Sequence, residues 1–105
     1  MTTGKLIRDR IPEIIKADGR IPIVKQLSGE PLLSALYDKL DEERAEFITA
    51  QGYEVKCEEL ADMVEVIIAL ASYYGCDEAA FMEILKRKRK AHGGFKEGLF
   101  YEGDG

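Results

Sequence analysis

Apolar residues recur at helical spacing through two long stretches of the chain. Between about Pro31 and Ala50, Leu33, Leu36, Leu40 and Phe47 fall on one side of a 3.6-residue period and predict a helix. Between about Glu54 and Tyr74, Val55, Met63, Val66, Leu70 and Tyr73 predict a second. The interruption at Gln51-Gly52 is short, so the two helices are expected to fold back on each other as an antiparallel hairpin. The later part of the second helix, Val66-Ile67-Ile68-Ala69-Leu70-Ala71, is apolar around most of its circumference, which predicts burial from several directions and hence a subunit interface.

Shorter signals frame the hairpin. Pro12 followed by Glu13-Ile14-Ile15-Lys16 predicts a brief helix starting at Arg10 or Ile11 and closed by Asp18-Gly19. The β-branched, proline-bearing run Ile21–Leu27 favours an extended segment, and Ser28-Gly29 marks a turn after it. After Gly75, Asp77 has the character of an N-cap for a third amphipathic helix carrying Phe81, Ile84 and Leu85 and stopped at His92-Gly93-Gly94. The tail from Phe95 to Gly105 spaces Phe95, Leu99, Phe100 and Tyr101 among glycines and is expected to pack as an extended strip. The fold class predicted is all-α, a helical hairpin bundle with short extended N- and C-terminal segments, in one domain over residues 1–105.

Four carboxylates break the apolar logic. Glu43 and Glu46 lie three residues apart on the first long helix, and Glu59 and Asp62 lie three apart on the second. Residues at this spacing occupy neighbouring turns of one side. Glu43 borders the apolar stripe, and Glu59 and Asp62 sit on the side where a purely structural helix places apolar groups. An ionised carboxylate there is costly unless it is paired, hydrogen-bonded or bound to a metal, and four together repel. Across a hairpin they form an all-oxygen ligand set suited to Mg²⁺ or Mn²⁺, making Glu43, Glu46, Glu59 and Asp62 the candidate metal and catalytic residues. The plainer alternative is a solvated, ion-paired face, with Lys39 four residues before Glu43 and Lys56 three before Glu59.

Composition removes several function classes. With 46% hydrophobic and 33% charged residues the chain reads as globular rather than disordered, and no apolar run reaches membrane-spanning length. The opening residues carry no signal-peptide pattern. Cys57 and Cys76 with a single histidine indicate neither a disulfide framework nor a zinc site, so a reduced, cytoplasmic protein is expected. A net charge of −5 argues against nucleic acid as a partner, despite the basic run Lys86–Lys90. That run complements the dipole at a helix end. Within it Lys86 and Arg89, and in the opening segment Arg8 and Arg10, are the candidate phosphate-binding cations. His92 reads as a helix-end residue, and Tyr37, Tyr53, Tyr73 and Tyr74 as core or interface aromatics.

Glu42-Glu43-Arg44-Ala45-Glu46, followed after twelve residues by Glu59-Leu60-Ala61-Asp62, resembles the ExxE…ExxD signature of the MazG-like all-α nucleoside triphosphate pyrophosphohydrolases. Lys5-Leu6-Ile7-Arg8-Asp9-Arg10-Ile11-Pro12-Glu13-Ile14-Ile15 is similar to the opening of their phosphoribosyl-ATP pyrophosphohydrolase-like subgroup, and Gly93-Gly94-Phe95 with Gly98-Leu99-Phe100 to its closing segment. The resemblance implies a dimer or tetramer that uses Mg²⁺ to hydrolyse a nucleotide between its α- and β-phosphates. Carried over residue by residue, it implies Glu43, Glu46, Glu59 and Asp62 as metal ligands; Glu42 matches an extra acidic position without a ligand role. The rival expectation is a non-catalytic helical oligomerisation or interaction module, with the acidic pairs serving only solubility.

Overall fold

The computed structural model describes residues 4–105, and the described residues form four helices and no strand: α1 (Ile11–Ala17), α2 (Gly29–Thr49), α3 (Tyr53–Tyr73) and α4 (Glu78–His92). The protein is all-α. The two long helices pack antiparallel, and α4 packs on α3 alone. Among the described residues α1 packs on no other helix.

Local chemistry explains most boundaries. Asp77 takes an extended conformation and its carboxylate accepts the Ala80 N–H at 2.8 Å, satisfying one of the orphan donors of α4. Gly52 adopts φ +93° between α2 and α3, a conformation that favours glycine, and so turns the chain within three residues. α2 begins two residues before the expected Pro31, because a proline in the first turn lacks an N–H that the helix would leave unpaired anyway. Ser28-Gly29 is therefore the start of this helix rather than a separate turn, although Gly29 keeps a φ of +60°.

The seam between α2 and α3 has a simple register. Leu36 on α2 and Val66 on α3 are the two buried apolar side chains among the described residues. Seven residues along from each, toward the hairpin turn, stand Glu43 and Glu59. Heptad spacing keeps a side chain on the same seam, so the carboxylates occupy positions that a structural hairpin fills with leucine or valine.

One expectation fails within the chain. Phe95, Leu99, Phe100 and Tyr101 are 98%, 86%, 87% and 74% exposed, so the C-terminal strip does not pack on these helices. Glycine at 93, 94 and 98 interrupts the apolar positions there, and among the described residues α4 does not pack on α2. Of the two roles expected for the tyrosines, Tyr37, Tyr53 and Tyr74 are exposed in the chain and so do not fill the core one, and Tyr37 and Tyr74 meet hydroxyl to hydroxyl at 3.0 Å. Ile21–Leu27 is non-helical as expected but forms no strand, with Ile21 and Ile23 in open solvent. Among the described residues no helix is long and apolar enough to cross a membrane.

Candidate metal centre

α2 and α3 bring three of the four singled-out carboxylates together. One oxygen from each of Glu43, Glu46 and Glu59 lies within 4.8 Å of the other two. Opposite ligands of a hard cation stand at most two bond lengths apart, about 4.2 Å for Mg²⁺ and about 5 Å for a larger oxygen-loving ion. The 4.8 Å bound falls within the span of the larger ion and somewhat above that of Mg²⁺. Glu43 is buried, Glu59 half-buried and Glu46 exposed, so the cluster opens from the seam toward solvent.

The polar accounting marks the same place. Glu43 Oε2 and Glu59 Oε2 are shielded from solvent and have no hydrogen-bond partner, a costly state for carboxylate oxygens. Burial raises the Glu43 pKa above its ordinary 4.5, Glu46 adds to the rise, and Lys39 pulls against it. Burial also raises Glu59, followed by the charge of Glu46 and contact with its side chain. Asp62 pushes both upward. A cation bound among these oxygens would supply the missing partners and cancel the repulsion, so this donor set fits a divalent metal.

Asp62 stands at the edge of the trio. Its Oδ1 accepts from Arg8 Nη2 at 3.2 Å, a contact spanning 54 residues of sequence. The segment carrying Arg8 lies along the hairpin, with Leu6 and Ile7 half-buried and Lys5 Nζ 3.5 Å from Glu42. Glu42 also pairs with Lys39 at 3.3 Å, and Lys39 reaches Glu43 at 3.4 Å. The ion-paired reading of Glu43 is therefore partly realised. Lys56, in contrast, does not pair with Glu59. It donates to the Phe47 carbonyl at 2.8 Å and sits 4.8 Å from the centre of the Phe47 ring, closing the end of α2.

The candidate cations separate. Arg8 is at the cluster, whereas Arg10 pairs with Glu13 at 2.7 Å on the first turn of α1. Lys86 contacts Glu83 on its own helix, and among the described residues no ion pair joins Lys86 or Arg89 to the carboxylates. Among the described residues α4 packs on α3 and not on α2, and its basic run makes no ion pair with the cluster. Lys39 is not among the candidate site residues read from the sequence, although its spacing to Glu43 carries the signal.

Comparison with known proteins adds little to this geometry. An uncharacterized protein of Mycolicibacterium smegmatis is 51% identical to the chain over 47 residues, a match spanning 45% of this chain and about half, 48%, of that protein. No family model matches the chain, and no solved structure does.

Proposed function

We propose that the chain is a Mg²⁺-dependent nucleotide pyrophosphohydrolase, with Mn²⁺ an alternative ion, acting on a nucleoside triphosphate or related nucleotide as a homo-oligomer. The observation that carries this reading is the convergence of Glu43, Glu46 and Glu59 on a helical seam, with two shielded oxygens lacking partners. The paired ExxE and ExxD spacing, and its likeness to the MazG-like enzymes, supplies the reaction class.

In this reading Glu43, Glu46 and Glu59 hold the ion, and Asp62 completes the set. A bound Mg²⁺ supplies charge neutralisation of phosphate oxygens and a polarised water. The carboxylates do the rest. One carboxylate of the cluster accepts the proton of the attacking water. Arg8, at the open edge, offers a cation to the phosphates. House-cleaning of non-standard nucleotides would fit the MazG-like resemblance.

The test is pyrophosphate release from a panel of ordinary and modified nucleotides. Release should require Mg²⁺ and vanish in Glu59→Gln and Asp62→Asn while circular dichroism stays helical. Full activity in both variants would remove the metal assignment. The non-catalytic interaction module is separated by melting: Mg²⁺ with nucleotide stabilises an enzyme by linkage and leaves a scaffold unmoved.

A further inference from the structure

Arg8 and Asp62 share an ion pair that the metal reading does not use, and its placement is informative. Asp62 belongs to the acidic motif of α3 yet stands outside the trio of mutually close oxygens, its Oδ1 held by Arg8 at 3.2 Å. The two cations nearest the cluster differ in freedom. Lys39 sits on α2 with a side chain only 16% exposed and contacts two carboxylates. Arg8 is 57% exposed and lies on a segment without regular structure, anchored by half-buried Leu6 and Ile7 and by the single ion pair of Lys5 with Glu42.

Resting on the metal reading above, we propose that Arg8 is an exchangeable counter-ion: it neutralises Asp62 in the metal-free site, yields Asp62 to an incoming divalent cation, and then binds the ligand's polyphosphate anion. The charges favour this order. A dication among four carboxylates removes the attraction that holds the guanidinium on Asp62 and repels it, while the anion that follows a metal into the site presents oxygens to the same fork. Metal and polyphosphate thereby bind cooperatively, because the first ligand releases the group that the second requires. Arg10, committed to Glu13, does not share this role.

Arg8→Ala makes opposite demands on the two ligands, which a folding defect does not imitate. Titrated with Mn²⁺ alone, the variant should bind about two- to fivefold more tightly than wild type, the range expected from removing an exposed competing ion pair. Titrated with inorganic tripolyphosphate in saturating Mn²⁺, it should bind at least about tenfold more weakly, the loss of one charge-assisted fork. Arg8→Lys, which keeps the charge, should restore the wild-type Mn²⁺ affinity. Unchanged or weaker Mn²⁺ binding in Arg8→Ala overturns the exchange, and unchanged tripolyphosphate binding overturns the anion role. If wild type itself takes no Mn²⁺, the carboxylate centre fails and the proposal falls with it.

Discussion

Among single residues, Glu59 is the sharpest probe, because it is half-buried in a seam and has no ion pair among the described residues, so making it neutral sacrifices no partner. Without metal, Glu59→Gln should melt at a higher temperature than wild type, since it relieves repulsion from Glu46, Asp62 and Glu43. Adding Mg²⁺ should reverse the ranking by stabilising wild type alone. A variant less stable than wild type in chelator would mean that Glu59 is structurally satisfied. The pH dependence follows from the same groups. Glu43 and Glu59 have native pKa values raised above 4.5, so the folded state binds their protons more tightly than the unfolded chain. Their contribution to stability is complete below 4.5 and is lost as pH rises through the native values. Melts of metal-free wild type and Glu59→Gln across that window should show the shallower decline in the variant; parallel curves would contradict a raised Glu59. The sequence made Glu43 and Glu59 visible, because seven-residue spacing from Leu36 and Val66 places acid where an apolar period demands a core residue. It could not reveal the Arg8–Asp62 contact, since Arg8 lies in a segment without periodicity, 54 residues from its partner.

Whole elements were more legible than their joints. Helices announce themselves through a period that repeats over several turns, and both long ones appear within two residues of the expected bounds. Their ends depend on one or two polar contacts, as Lys56 illustrates. It reads from spacing as an ion-pair partner of Glu59, yet α2 ends at Ala50 in an extended conformation with carbonyls left over, and the ammonium goes to those of Phe47 and Ile48 at 2.8 and 3.5 Å. A charged hydrogen bond to a helix end outweighs an ion pair in solvent. Lys56→Met, which keeps the apolar stem over Phe47, should therefore cost about 1–2 kcal/mol in urea unfolding. Loss of less than about 0.3 kcal/mol would show that water serves these carbonyls equally well. At the turn, Gly52→Ala meets no neighbouring atom but must hold φ +93°, so it should destabilise the hairpin by about 1 kcal/mol through the backbone alone.

At the scale of the molecule, one chain is poorly enclosed. Its radius of gyration is 17.7 Å, against about 13 Å for a compact domain of this length. Its accessible surface is 9385 Å², whereas a compact monomer of 11.8 kDa exposes about 5,900 Å². The excess of roughly 3,500 Å² per chain is more than the roughly 1,000–2,500 Å² per partner that permanent subunit interfaces remove, and the exposed non-helical segments around Ile21–Ile23 and Phe95–Tyr101 supply part of it. α3 shows where some of it goes. Beyond the seam with α2, the helix carries an outward stripe of Leu60, Val64, Ile67 and Ala71 at helical spacing, with Leu60 and Val64 each 43% exposed. This is the helix whose all-round apolar character predicted an interface from sequence, and nothing in the chain's own described residues covers that side completely. Sedimentation at micromolar concentration should give a mass of two or four times 11.8 kDa, with a melting temperature that climbs with protein concentration. Val64→Glu, placing charge on the outward stripe and leaving Leu36, Val66 and the carboxylate cluster untouched, should lower the mass and remove the concentration dependence. A wild-type chain that sediments at 11.8 kDa with a concentration-independent melt would leave this surface without a copy of the chain to cover it.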